Sequence, residues 1–124
     1  MLTGRFDRTR RVRRRVEFQK VFDRGIRVHG RYLTLLVAPA PGTRSRLGIV
    51  ASKKLGGSVA RNRAKRLIRE IFRRNKVAPG FDVVVIPKRE LLDASLTALE
   101  VDYRTTLERT VRRSRGGSGD PQRL

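Results

Sequence analysis

The chain of 124 residues contains no cysteine and no tryptophan, and only one methionine and one histidine. Without cysteine it can form no disulfide, no thiolate-ligated zinc site and no thiol nucleophile, which fits a reducing compartment. No apolar run approaches the roughly 18 residues that a membrane span requires. The basic N-terminus is followed by no apolar stretch of the kind found in signal peptides. We therefore expect a cytoplasmic protein.

Acidic residues are also scarce, since 11 Asp and Glu stand against 31 Lys and Arg, for a formal net charge of +20. Such self-repulsion destabilises a compact state unless a polyanion offsets it. Nucleic acid is therefore the expected partner. An acidic membrane surface is the weaker alternative, and we expect no membrane partner.

The few acids and the single histidine form no pattern that supports catalysis. No D-x-D or E-x-x-H spacing occurs that could hold Mg²⁺ or Zn²⁺. His29 has no second histidine and no nucleophile arranged with it, and we interpret it as an ordinary surface or turn residue. We expect Glu70 to form ion pairs with neighbouring arginines on a helix. The sequence thus predicts no catalytic residue and no metal site on this chain.

The length suffices for one domain with its own core. We predict a flexible basic lead-in over residues 1–9, a folded domain over 10–113, and a disordered tail over 114–124 that is rich in Gly, Ser and Pro. The hydrophobic pattern predicts helices over 11–24, 58–76 and from 91 or 93 to 113. It predicts strands over 31–38, 47–52 and 81–86, with a short extra strand near 26–29.

These elements predict a two-layer α/β (α+β) sandwich with the order α-β-β-(β)-α-β-α. We expect the strand over 47–52 to run antiparallel to the strand over 31–38, because the connection between them is short. The last helix should bury a stripe formed by Leu92, Leu96, Leu99, Tyr103 and Leu107.

The predicted helix over residues 58–74 separates charge from apolar side chains. One side carries cations spaced about 6 Å apart, roughly the scale of a phosphate repeat: Arg61, Lys65, Arg69 and Arg73. A separate stripe is apolar: Ala64, Leu67, Ile68, Ile71 and Phe72. Ser58 is the expected N-cap, and the glycines before it leave backbone N–H groups open to a phosphate. The helix is therefore predicted to bind a phosphate backbone.

Two features permit more than one interpretation. Asn62 either orients Arg61 or Arg63, contacts a ribose or base, or is an ordinary first-turn residue. Phe18, Phe22 and Tyr32 are core residues on the ordinary interpretation. They would form a stacking platform for single-stranded nucleotides if one face of the sheet is open.

The segment K-K-L-G-G-S-V-A-R-N-R-A-K-R-L-I-R-E, residues 53–70, resembles the signature of the protein subunit of bacterial ribonuclease P. The preceding L-G-I-V-A-S-K-K, the E-F-Q-K-V-F-D-R-G at 17–25 and the F-D-V-V-V-I-P at 81–87 resemble the family's strand-and-loop lead-in, first helix and later strand. The resemblance covers about residues 10–110 in the expected order. Departures are mild: the family usually has a small apolar residue in place of Ser58 and a branched apolar residue in place of Ala64.

The resemblance implies a fold like domain 2 of ribosomal protein S5, with a left-handed βαβ crossover where the general rule predicts a right-handed one. It also implies a subunit of an endoribonuclease that removes the 5′ leader of precursor tRNA. The catalyst would be the RNA subunit, with one protein bound to each RNA. Mg²⁺ would be held by RNA and substrate, and the protein alone would bind no cofactor.

Residue roles follow from the same resemblance. Six residues would meet the catalytic RNA: Arg61, Asn62, Arg63, Lys65, Arg66 and Arg69. Six would contact the leader of precursor tRNA: Phe18, Phe22, Tyr32, Ser52, Lys53 and Lys54. Lys88 and Arg89 are weaker candidates. From charge and fold alone, a ribosomal protein or RNA chaperone and a DNA-binding architectural protein stay open as alternatives.

Overall fold

The computed structural model describes residues 12, 15–40, 44–75 and 80–116, with side chains as far as residue 113. Its helices are α1 (Arg15–Arg24), α2 (Ser58–Arg74) and α3 (Leu96–Gly116), and its strands are β1 (Ile26–His29), β2 (Leu33–Pro39), β3 (Arg46–Ile49) and β4 (Phe81–Pro87). Short 3₁₀ turns occupy Lys53–Leu55 and Arg89–Asp93. The α+β class and the element order, including the extra strand at 26–29, are therefore confirmed. No helix in the described ranges is both long and apolar enough to cross a membrane.

The four strands form one mixed sheet in the order β1-β2-β4-β3. β2 pairs antiparallel with β1 and β4, and β3 pairs parallel with β4. β3 therefore runs antiparallel to β2, as expected, but β4 lies between them. β4 pairs with β2 over seven residues, from Leu33 opposite Pro87 to Pro39 opposite Phe81, whereas β3 is only four residues long. Six residues separate β2 from β3 in the chain, enough to span the two strand spacings between them, which amount to only about 10 Å.

The helices cover the two faces of the sheet unequally. α2 and α3 share one face, where the larger core cluster contains alternate residues of the strands, such as Leu35 and Val85, together with Ile68, Phe72 and Tyr103 from the helices. α1 lies on the other face over a smaller cluster: Val21, Leu36, Ala38 and Val84, with Phe18, Val50 and Ile86 packed against it. Because β2 is covered on both faces, six of its seven residues are buried.

Several predicted boundaries shift for identifiable reasons. The first helix begins at Arg15 instead of residue 11, and the buried Val12 donates its N–H to the Leu47 carbonyl (2.8 Å) beside β3. Tyr32 precedes β2 and is not part of it. α2 is capped by Gly57, so that Ser58 is its first helical residue and not its N-cap.

The end of the chain differs in a similar way. The sequence before α3 forms the 3₁₀ turn Arg89–Asp93, and α3 itself starts at Leu96 and continues to Gly116, three residues past its predicted end. Leu99 and Tyr103 are buried and Leu107 packs against the core as expected, but Leu96 is 39% exposed. The lead-in 1–9 and the tail from residue 117 lie outside the described residues.

One guanidinium attaches α1 to the sheet. Arg46 on β3 donates to both carboxylate oxygens of Asp82 on β4 (2.9 and 2.7 Å) and to Glu17 on α1 (2.8 Å). The hydrogen bonds to Asp82 hold the pKa of Arg46 above its ordinary range against the opposing effect of burial, and Glu17 adds to the shift. The Asp82 side chain is only 8% exposed. Removing Arg46 would therefore leave the Asp82 carboxylate buried without this cation.

We expect Arg46→Met to lower the free energy of unfolding by about 2–4 kcal/mol, below the full value for a buried pair because Arg46 is partly exposed. Arg73→Ala is the matched control, since Arg73 pairs with Glu70 at a site where both side chains are 41% exposed. It should cost less than about 1 kcal/mol. Urea denaturation measures both, and equal losses would contradict a structural role for Arg46.

Tyr103 on α3 is buried in the larger cluster, and its hydroxyl has no hydrogen-bond partner in the described part of the chain. Burial raises the pKa of Tyr103 above its ordinary value, because the phenolate would lose its hydration. The stability that depends on the neutral phenol is therefore complete below the unfolded-state pKa near 10. It is lost as the pH rises from there towards the higher folded-state pKa.

We expect Tyr103→Phe to leave the stability at pH 7 unchanged or to raise it by about 1 kcal/mol, because it removes a buried polar atom without a partner. Above pH 10 the unmodified protein should lose up to roughly 1.4 kcal/mol per pH unit through this residue, and the variant should not. Urea denaturation at pH 7, 10 and 11 compares the two. Parallel alkaline losses in both proteins would disprove this assignment.

Candidate RNA interface

α2 presents its charge outward because its apolar stripe is anchored in the core. Ala64, Ile68, Ile71 and Phe72 are buried, and Leu67 packs at the edge of the cluster. The predicted apolar stripe is thus confirmed. The helix carries seven Lys and Arg against one acid, Glu70, which pairs with Arg73. A helix of 17 residues is about 25 Å long, so these cations form an extended electropositive surface.

The six residues predicted to meet catalytic RNA lie along the solvent side of α2. Arg61, Lys65 and Arg69 are partly exposed, and Asn62, Arg63 and Arg66 are exposed. The Asn62 amide makes no hydrogen bond to either neighbouring arginine within the described ranges. Gly57 caps the helix without a side chain, so that the first amides of α2 keep their capacity to donate to a phosphate.

The face of the sheet that carries α1 is only partly covered. Glu17 of α1 meets Arg46, and Phe18 stands over Gly48, where a β-carbon would come within 2.8 Å of the ring. α1 therefore crosses the sheet at the level of Asp82 to Val84. Beyond it, towards the carboxyl end of β4, Thr34 and Ile86 are register partners and Val50 lies beside them. Thr34 is buried here and Ile86 and Val50 are half-buried, and we call this part of the surface the α1-side groove.

Of the six residues predicted to contact the leader, Phe18 and Phe22 lie on α1 beside the α1-side groove, and Ser52, Lys53 and Lys54 follow Val50 in the chain. Phe18 and Phe22 stand one turn apart on the same flank of α1, and Phe22 is 37% exposed. Ser52, Lys53 and Lys54 are exposed where the chain leaves β3. The Ser52 hydroxyl accepts the N–H of Lys54 (3.3 Å) and caps the 3₁₀ turn.

Tyr32 is placed elsewhere. Its ring packs against the larger cluster, on the face covered by α2 and α3, and the Arg31 guanidinium lies 5.2 Å from the ring centre. Asp102 of α3 accepts the N–H groups of Arg31 and Tyr32 (2.9 and 2.8 Å) and holds this turn. The structure therefore does not bring Tyr32 together with Phe18 and Phe22, and its contact with a leader stays a prediction.

The weaker candidates lie next to the turn that contains Tyr32. Lys88 donates its backbone N–H to the Tyr32 carbonyl (2.9 Å) and its ammonium to the Gly30 carbonyl (2.6 Å), while Arg89 is exposed. His29 lies in β1, with Nδ1 2.9 Å from the Thr34 hydroxyl. In the described part of the chain, no three His, Asp or Glu side chains come together as a metal site would require.

Sequence reasoning missed the residues that shape the α1-side groove. Gly48 admits the Phe18 ring, and the Arg46 network sets the position of α1. A glycine inside a predicted strand is a signal of close approach by another group. The charged Asp82 in an otherwise apolar strand indicated a buried partner in the same way.

The fold and these two surfaces define a class: a small, strongly basic α+β domain with an electropositive helix face and no catalytic cluster in its described part. The family model for ribonuclease P matches residues 6–111. The ribonuclease P protein component of Thermotoga maritima is 42% identical over 92 residues, which cover 73% of this chain and 79% of that protein. That of Clostridioides difficile is 33% identical over 108 residues, which cover 85% and 95%.

Solved structures agree with these relatives. The ribonuclease P protein from Thermotoga maritima superimposes with a TM-score of 0.73 at 36% identity, covering 80% of this chain and 96% of that one. The Staphylococcus aureus ribonuclease P protein gives 0.72 at 29% identity, covering 80% and 93%. The chain belongs to the ribonuclease P protein family. It is a protein component of an endoribonuclease of tRNA 5′ maturation in which the RNA performs the catalysis.

The two phenylalanines should differ in what they contribute to folding. Phe18 packs in the smaller cluster over Gly48, so Phe18→Ala should cost about 2–4 kcal/mol of unfolding free energy. Phe22 is more exposed, and Phe22→Ala should stay within about 1 kcal/mol of the unmodified protein. Urea denaturation of both variants provides the comparison. A large loss at Phe22 would show that it is a core residue.

Proposed function

We propose that this protein binds the catalytic RNA of ribonuclease P through the solvent side of α2, with one protein on each RNA. The observation that carries the proposal is the basic row of α2 standing on a buried stripe. Arg61, Asn62, Arg63, Lys65, Arg66 and Arg69 make the contacts. Arginine suits this surface because its planar guanidinium binds phosphate in a bidentate manner and also stacks on bases.

The α1-side groove takes the single-stranded 5′ leader of precursor tRNA. Support comes from two aromatic rings on one flank of α1, beside the half-buried Val50 and Ile86 of the sheet, and from the exposed Lys53 and Lys54 that follow β3. Aromatic faces stack on bases without regard to sequence, and lysines neutralise the backbone. Ser52 precedes these two lysines and caps their 3₁₀ turn. Tyr32, Lys88 and Arg89 would meet a longer leader at the adjoining turn.

The protein's part in the reaction is electrostatic and positional. Its cations lower the repulsion between two RNAs, and the groove favours the precursor over mature tRNA. Mg²⁺ is held by RNA and substrate in the assembled enzyme, and this chain by itself holds no cofactor. The cytoplasm, where precursor tRNA is processed, is its compartment.

The connection between β3 and β4 has a handedness that the family resemblance predicts. The parallel pair β3 and β4 is joined through α2, and we propose that this crossover is left-handed, as in domain 2 of ribosomal protein S5. The support is the family resemblance together with a parallel connection of the required kind.

Reconstitution with a bacterial ribonuclease P RNA at low Mg²⁺ tests the proposal directly. The protein should accelerate removal of the leader from precursor tRNA, because its cations replace part of the screening that Mg²⁺ supplies. A protein that binds the RNA but gives no gain in precursor cleavage would refute it.

We expect Phe22→Ala to weaken binding of precursor tRNA to the assembled enzyme by about 1–3 kcal/mol and to leave mature tRNA unaffected. Arg61→Ala should instead weaken the complex with the catalytic RNA and reduce the slope of log K against log salt by about one. Val16→Ala is the control, since Val16 is 60% exposed on the other flank of α1. Equal effects of Phe22→Ala on precursor and mature tRNA would exclude a leader contact.

A further inference from the structure

A depression of about 410 Å³ lies between α2 and the first turn of α3. It is separate from the α1-side groove, on the opposite face of the sheet. Four of its lining residues stand at i, i+3, i+4 and i+7 on one flank of α2, and the fifth begins α3: Arg63, Arg66, Leu67, Glu70 and Leu96. Its size is at the lower end of the range for small-molecule sites, which suits a group no larger than a nucleoside.

The two helices that form the depression are held together one turn away from it. Glu100, four residues after Leu96, accepts the Asn75 amide (2.7 Å) and lies 3.4 Å from the Arg74 guanidinium. Asn75 also donates to the Ile71 carbonyl (2.9 Å) at the end of α2. The depression is therefore formed before any partner arrives, which lowers the entropic cost of binding.

Its lining combines three kinds of chemistry. Leu67 and Leu96 supply an apolar surface, and Leu96 is 39% exposed there. Arg63 and Arg66 are exposed, and neither has an ion pair or hydrogen bond within the described ranges. One carboxylate oxygen of Glu70 accepts a hydrogen bond from Arg73, and both oxygens keep lone pairs that can accept further hydrogen bonds. The apolar floor suits the face of a base, and the cationic rim suits a phosphate. The carboxylate, which only accepts hydrogen bonds, suits the edge of a base.

The acceptor-only group discriminates among bases. A carboxylate takes hydrogen bonds and gives none, so it pairs best with an edge that presents adjacent donors. Guanine presents N1–H and the N2 amino group side by side, whereas the corresponding edges of adenine, cytosine and uracil set a donor beside an acceptor. Glu70 therefore favours guanine.

We propose that the depression between α2 and α3 receives one unstacked guanine nucleotide of the RNA partner, with the base on Leu67 and Leu96 and its donor edge at Glu70. Arg63 and Arg66 contact the flanking phosphates. This assignment rests on the docking of α2 on RNA and adds a base-specific contact to it. The strongly positive charge of α2 argues for an RNA occupant over a protein segment.

The first test needs no RNA partner. The full chain is titrated with GMP, AMP, CMP, UMP and ribose 5-phosphate while the methyl NMR signals of the leucines are followed. GMP should shift Leu67 and Leu96 at concentrations where ribose 5-phosphate does not, and Glu70→Gln should abolish the preference for GMP over AMP. Equal shifts with all four nucleotides, or with ribose 5-phosphate alone, would overturn the assignment.

The second test measures affinity for the catalytic RNA as a function of salt. Leu96→Ala and Glu70→Gln should each weaken binding roughly five- to a hundredfold with an unchanged salt slope, because they remove a base contact and no phosphate contact. Val101→Ala on the same helix, where Val101 is 57% exposed, should leave affinity unchanged.

The two proposals fail in distinguishable ways. If Arg61→Ala changes neither affinity nor slope, the docking of α2 on RNA is wrong, whatever the nucleotide titration shows. If Arg61→Ala behaves as expected but Leu96→Ala and Glu70→Gln match Val101→Ala, only the guanine site is refuted. If a peptide or protein occupied the depression in place of RNA, the affinity for the catalytic RNA would not change with Glu70→Gln. That result would also refute the guanine site.

Discussion

The pairing of β2 with β4 determines the layout of the whole molecule. Seven register pairs between two apolar strands form the centre of the sheet, which leaves β1 and β3 at its edges. Because β3 lies beyond β4, the chain between them must return over one face, and α2 is that connection. The same pairing buries β2 on both faces, so that α1 has an apolar surface to cover on the opposite side. Both proposed RNA surfaces follow from this one arrangement.

Four of the chain's acids connect secondary-structure elements to one another. Glu17 and Asp82 receive Arg46 and join α1, β3 and β4. Asp102 holds the turn before β2 through two backbone N–H groups, and Glu100 links the end of α2 to α3. Asp23, Glu90, Asp93 and Glu108 stay exposed, but the formal net charge of +20 leaves a large positive excess, as a surface for polyanions requires.

The sequence predicted the elements better than their neighbours in space. The helical period of Ala64, Ile68, Ile71 and Phe72 identified the buried side of α2, because such a period depends only on local geometry. β3 runs antiparallel to β2 as predicted, but no local signal placed β4 between them, because a short connection limits the distance between strands and does not require them to be adjacent. Tyr32 was grouped with Phe18 by aromatic character, whereas its side of the sheet depended on the turn held by Asp102.

The sequence by itself determined the charge, the three helices, the basic side of α2 and the family, since these are properties of composition, period and motif. The tertiary structure decided which elements meet. It brought Arg46 between Glu17 and Asp82, placed the Phe18 ring over Gly48, and set Leu96 against the flank of α2. These contacts join residues that are 26 to 36 positions apart in the chain. No local pattern encodes them, because they depend on the packing of every element that lies between.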